Sequence, residues 1–277
     1  MKKTLSLTLV ALASFSQLAF GAVRNDIPSC YDYAGLSEYK PSVAKRELFV
    51  VVDQTLHLDS NMKVNVHKQV QSFNQPGDKI TVVTFSAMAA GEYTNIPFSG
   101  YFETPLSSSD RDSVNRTKLT KLDSCLKSQA KAVNGAQKML KESFNDGDED
   151  YPKTELAGTI MSIGTDLISR SQADKKIVFL VSDMLENSET LTFYSRGHVN
   201  VPDAQKAFEK IAAQGFQADF KGADLHVLGA GYIHGGKNYS SYNSMKNLEQ
   251  FWRMVLKDSN VNLVQFGKPN LLRNISG

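Results

Sequence analysis

Residues 47–57 read ELFVVVDQTLH. Leu48 to Val52 are apolar on consecutive positions and rich in β-branched side chains, as a strand buried on both faces requires. The run stops at Asp53, and Thr55 and His57 follow at alternate positions. A loop leaving the strand can aim these three, a carboxylate, a hydroxyl and an imidazole, at one spot.

Outward from this stretch the chain alternates. Asp59 or Ser60 can cap a helix that carries Met62, Val66, Val70 and Phe73 at helical spacing. Pro76-Gly77-Asp78 turns the chain into a second strand, Lys79–Phe85. Residues 96–103 suit an edge strand, and SSSDRDS (107–113) reads as a loop. From Thr117 a long helix is predicted, with Leu119, Leu122, Leu126, Val133, Ala136 and Leu140 in one stripe. The acidic loop NDGDEDYPK (145–153) ends it. Thr154 then opens a helix bearing Leu156, Ile160, Ile163 and Leu167. Residues 176–182, KIVFLVS, form a strand that again stops at an aspartate, Asp183. A helix over 203–214, a strand over 224–229, a helix over 244–256 and a strand over 260–266 complete the series. Residues 22–45 read as an irregular arm and 268–277 as a tail.

Strands alternating with helices imply right-handed crossovers. The expected fold is therefore α/β: a doubly wound, mainly parallel sheet with helices on both faces. Ligands of such sheets bind beyond the carboxyl ends of the strands, where both Asp53 and Asp183 stand. Carboxylate and hydroxyl oxygens are the donor set of a hard divalent cation.

The ordered set resembles the von Willebrand factor A domain, the fold of integrin I domains. That family's metal-ion-dependent adhesion site is Asp-x-Ser-x-Ser after the first strand, a Thr before a mid-chain helix, and an Asp after the fourth strand. Here Asp53-Gln54-Thr55-Leu56-His57 stands at the first motif, Thr154 in KTELAGTI at the second, and Asp183 in FLVSDM at the third. QPGDKITVVTFS (75–86) looks like the family's second-strand region, and the resemblance spans 46–267. It implies a metal site of Asp53, Thr55, His57, Thr154 and Asp183, holding Mg²⁺, or Mn²⁺ or Ca²⁺. It also implies a protein partner whose acidic side chain completes the coordination. His57 departs from the pattern. Either it swings aside, or it joins a site tuned to a softer metal, or the site is metal-free. The acids of the 145–153 loop are a solvated loop or an added outer carboxylate.

Other rim loops carry aromatic residues. LENSETLTFYSRG (185–197) offers Phe193, Tyr194 and Arg196, a mix that interfaces favour. GAGYIHGGKNYSSY (229–242) offers Tyr232 and His234; it lacks the third glycine of a dinucleotide-binding loop.

The start, MKKTLSLTLVALASFSQLAFG, has the charged, apolar and small-residue regions of a secretory leader, with cleavage expected before Ala22. Its apolar stretch is too short to span a membrane comfortably. Export to the periplasm follows as an expectation. The chain has 31 Lys+Arg and 29 Asp+Glu, so losing Lys2 and Lys3 leaves the two signs equal. Such a balance does not suit nucleic acid. In an oxidising compartment Cys30 and Cys125 are expected to pair, two buried thiols being the alternative. The expected function is an exported protein-binding module of an envelope assembly. The alternatives are a Mg²⁺-dependent phosphohydrolase of haloacid-dehalogenase type, with Asp53 as nucleophile, and a metal-free structural subunit.

Overall fold

The apolar run of residues 48–52 becomes the interior of strand β1 (Arg46–Asp53), buried along nearly its whole length. A computed structural model describes residues 24–86, 94–144, 155–195, 198–233, 241–267 and 270–275. Its main sheet also contains β2 (Asp78–Phe85), β3 (Thr94–Tyr101), β4 (Lys175–Val181), β7 (Ala223–Leu228) and β8 (Val261–Phe266), in the order β3-β2-β1-β4-β7-β8. β5 (Tyr194–Ser195) and β6 (His198–Val199) make a separate small hairpin. All main-sheet neighbours run parallel except β3, which pairs antiparallel at one edge. This is the doubly wound, mainly parallel architecture that the alternation predicts.

The pleat explains why β1 must be apolar at every position. Leu48, Val50 and Val52 join a core with Met62, Val66 and Val70 of α2 (Ser60–Gln71) and Ala136 and Leu140 of α5 (Val133–Ser143). Phe49 and Val51 point to the other face. There they join Leu156 and Ile160 of α6 (Leu156–Asp166), Ala207 of α7 (Ala204–Ala212) and Trp252 of α8 (Tyr242–Val255). Each of these five strand residues contributes roughly 2 kcal/mol of apolar burial before conformational entropy is set against it. An aspartate inside the run would strand a charge between two helix layers, so the carboxylate can stand only at the end.

Three segments differ from expectation. The arm at 22–45 is not wholly irregular: Cys30–Ala34 form helix α1, capped by Ser29. The Glu103 carboxylate accepts from the Cys30 N–H (2.7 Å) and the Ser29 hydroxyl (2.6 Å), which fixes the helix start. Cys30 and Cys125 form the expected disulfide, with Cα atoms 5.4 Å apart. SSSDRDS is largely helix α3 (Ser108–Ser113), because Ser107 caps it by accepting from the Asp110 N–H. The long helix is two, α4 (Arg116–Gln129) and α5, separated by a 3₁₀ turn at Ala130–Ala132. The turn sends the two halves of the stripe to different places. Leu122 packs with Tyr31 and Leu36 beneath the disulfide, while Val133, Ala136 and Leu140 face the sheet.

Both sheet margins are dressed. Along β3, the Asp26 N–H donates to the Ser99 carbonyl (2.7 Å), and the Asp26 and Asn25 side chains accept from the N–H groups of Ser99 and Tyr101. Beyond β8, the Gln265 side chain accepts from the Leu272 and Arg273 N–H groups, and Ile275 is buried where its N–H donates to Gln69. Among the described residues no helix is long and apolar enough to cross a membrane. The leader assigned to residues 1–21 lies outside them.

Candidate functional site

β1 and β4 end together. Val52 pairs with Val181 in register, so Asp53 and Ser182 are side by side at the carboxyl ends of the two central strands. Asp53 is buried and both its oxygens are engaged. Oδ1 accepts from the Thr55 N–H (3.0 Å) and hydroxyl (2.6 Å), and Oδ2 accepts from the Ser182 hydroxyl (2.8 Å). The chain turns at Gln54 and Thr55, with the Leu56 N–H donating to the Asp53 carbonyl (3.2 Å). Leu56 and Leu58 then bury, and His57 between them is half-buried. His57 thus stands on the loop that leaves the strand rather than on an extension of it.

Asp183 follows Ser182 at the rim and is partly exposed. Its Oδ1 accepts from the Leu185 N–H (2.8 Å), and its Oδ2 takes a long bond from the Tyr194 hydroxyl (3.4 Å). The turn behind it is tightly determined. Met184 has a left-handed backbone (φ 61°), unfavourable by about 1–3 kcal/mol for a residue with a side chain. It is held there by its N–H donating to the Ser182 hydroxyl oxygen (3.0 Å) and its carbonyl accepting from the Trp252 indole (2.8 Å). Gly229, at φ 102°, lets the end of β7 pass close by: a Cβ there would lie 3.0 Å from the Ser182 carbonyl oxygen. Two residues on, the Gly231 N–H donates to the Asp183 carbonyl (2.7 Å).

The electrostatics of this corner are unusual. Burial raises the Asp53 carboxyl above the ordinary carboxylate range, against the opposing bonds from Thr55 and Ser182. Burial, and then the Asp53 charge, push the Asp183 carboxyl up to about 8. Burial and the same two carboxylates raise the Tyr194 phenol. Among the described residues no Lys, Arg or His forms an ion pair with either aspartate. Two carboxyls raised in this way favour a bound proton or a nearby cation. The donors at hand are all oxygens: Asp53, Asp183, Thr55 and Ser182. That chemistry fits a hard divalent cation. No group of three or more His, Cys, Asp or Glu side chains gathers among the described residues, so what the described residues offer is this pair and neighbouring hydroxyls.

The structure thus brings Asp53, Thr55 and Asp183 together. Thr154, Arg196, His234 and the acids of the 145–153 loop lie outside the described residues. Two assignments to a partner surface are corrected. Phe193 is fully buried and packs edge-to-face on Phe251 at 5.1 Å, so it belongs to the core. Tyr232 is 4% exposed, buried against the sheet. Tyr194 is 38% exposed and Tyr242 83%. Ser182 is absent from the residues that the sequence singles out. Aligning the ends of the two aspartate-terminated strands places it beside Asp53. The phosphohydrolase alternative wants a second acid two residues after Asp53 as general acid; that position is Thr55, whose hydroxyl donates to the aspartate. Glu186, the other acid at hand, accepts from the Ala157 N–H at the start of α6 (2.9 Å), and burial pushes its carboxyl up to about 7.

Fold and rim together define a doubly wound α/β domain with a carboxylate pair, uncompensated by any basic side chain described, at its switch point. No protein-family model and no curated protein matches the chain. Among solved structures it is similar to an aerotolerance-related membrane protein from Bacteroides fragilis, at 11% identity and TM-score 0.34, over 80% of this chain and 92% of that one. It is similar also to the conserved hypothetical protein BatB from Bacteroides thetaiotaomicron, at 15% identity and TM-score 0.36, over 81% and 91%. A third is the N-terminal domain of the TFIIH p34 subunit, at 10% and 0.28, over 79% and 90%. Likenesses at these scores bear on no functional assignment.

Proposed function

We propose that this protein is a docking module of the von Willebrand A type, exported to the periplasm as a subunit of an envelope assembly, and that its rim binds a protein partner through a divalent cation. The observation that supports this reading is the Asp53–Asp183 pair. Each carboxyl is raised by burial, and no basic side chain among the described residues neutralises either. Asp53 and Asp183 would hold the cation, directly or through water, with Thr55 and Thr154 adding hydroxyl oxygens. Ser182 keeps Asp53 oriented, and the Met184 turn keeps Asp183 at the rim. A bound Mg²⁺, or Mn²⁺ or Ca²⁺, supplies a positive centre to which an acidic side chain of the partner adds. Tyr194 stands beside this point and can bond that side chain.

Calorimetric titration with Mg²⁺, Mn²⁺ and Ca²⁺ tests the reading. Wild-type protein is expected to bind at least one of them, and Asp53→Ala to lose binding while retaining its far-UV circular dichroism. A wild-type chain indifferent to all three ions would remove the cation from the proposal. Capture of an envelope partner that survives chelation would remove the docking mode.

A further inference from the structure

At the opposite end of the strands from the rim, the face of the sheet that α6 covers carries a polar floor. Register sets Glu47 beside Lys79 and Lys79 beside Tyr101, with Phe49, Thr81 and Ser99 forming the next row on the same face. Glu47, Thr81 and Ser99 are buried at 3%, 2% and 4% exposure. Glu47 accepts from the Thr81 hydroxyl (2.8 Å) and the Ser171 hydroxyl (2.5 Å) and pairs with the Lys79 ammonium at 2.8 Å.

Over this floor opens a cleft of about 500 Å³. A second lobe of about 210 Å³ adjoins it, sharing Glu47, Lys79 and Arg170 and walled also by Phe49, Ile96 and Leu167. The larger volume is that of a small-molecule site, for which roughly 300–1,000 Å³ is typical. Lys79, Arg170 and Arg24 line both lobes and Lys40 lines the larger; among the described residues Glu47 is the one acid in the lining. Arg24 and Lys40 are matched by Asp26 and Asp32. Among the described residues Lys79 bonds Glu47 alone, so its ammonium has donors open to the cleft. Arg170 has only Asp166 at 3.9 Å, an exposed contact that holds it weakly.

We infer that this cleft binds a small amphipathic anion, its acidic head between Lys79 and Arg170 and its apolar body against Phe49, Ile96 and Leu167. The site lies away from the rim and is independent of the cation proposed there.

Calorimetric titration in chelator, with decanoate and decyl phosphate as probes, tests it. Acetate stands for a head without a tail and decanol for a tail without a charge. At least one decyl acid is expected to bind, with acetate and decanol each weaker by about tenfold or more, and the better of the two acids identifies the head group. Arg170→Glu is expected to weaken binding by about tenfold, the worth of one charge-assisted hydrogen bond. The paired variant Glu47→Gln with Lys79→Gln removes both charges without stranding either. It should do the same, with thermal melting as its folding control. Equal binding of decanol, unchanged affinity in Arg170→Glu, or no binding of either acid would overturn the assignment.

Discussion

Replacing Asp183 by Asn should make the cation-free protein more stable at pH 8 and, at the same time, unable to respond to a divalent ion. In the folded chain the Asp183 carboxyl titrates near 8 rather than at its ordinary 3.8. Between those values the native state holds a proton that the unfolded chain has released. Stability contributed by that proton is therefore full below about pH 4 and is lost as pH rises towards 8. At about 1.4 kcal/mol per unit the ceiling is about 5–6 kcal/mol. Asp183 is partly exposed at the rim, so solvent screens part of this, and about 2–3 kcal/mol is the working figure. In a domain of this size that is a melting-temperature difference of about 5–10 °C. The amide keeps the oxygen that accepts from the Leu185 N–H and removes the charge that repels Asp53. Scanning calorimetry from pH 5 to 8 in chelator is the assay. Wild type should fall more steeply through this window than Asp183→Asn, which keeps the raised Asp53 and Glu186 carboxyls. With saturating Mg²⁺ only wild type should gain, by about 2.7 kcal/mol at a hundredfold excess over the dissociation constant. A wild-type curve flat across the window, or a variant less stable than wild type at pH 8, would refute the uncompensated pair.

Three further outcomes are expected. The disulfide closes a span of 95 residues, so Cys30→Ser with Cys125→Ser should cost about 4–5 kcal/mol in denaturant unfolding; an unchanged midpoint would mean that α1 docks without it. Ser182→Ala removes one donor from buried Asp53 and should raise its proton affinity further, weakening cation binding about tenfold with little change in secondary structure; equal affinity would reduce Ser182 to a packing residue. Gly229→Ala meets both a left-handed backbone and the Ser182 carbonyl, and should destabilise by more than about 1 kcal/mol; a neutral melting temperature would show that the β7 end yields freely.

The central sheet is legible because burial on two faces leaves few residue types able to build it. KITVVTF, KIVFLVS and ELFVVV each became a strand within a residue or two of the expected ends. The convergence of Asp53 and Asp183 is legible for a related reason, since parallel strands present their carboxyl ends to one rim. What failed was reading beyond the strand ends. Phe193 lies in a polar loop, where aromatic residues suit contact surfaces, yet the loop folds back and buries the ring on Phe251. The Leu119–Leu140 stripe keeps a helical period through a 3₁₀ turn, so periodicity alone conceals the break. Ser182 was hidden because its role depends on the register between β1 and β4, which only pairing reveals.

Asn25 and Asp26 occupy hydrogen-bonding groups along β3 that another polypeptide would otherwise find vacant. Proteolysis just after Asp26 would leave the hydrophobic layers intact while uncovering a ready template for a second copy. Trimming there would show first as oligomers and turbidity, well before any loss of ellipticity.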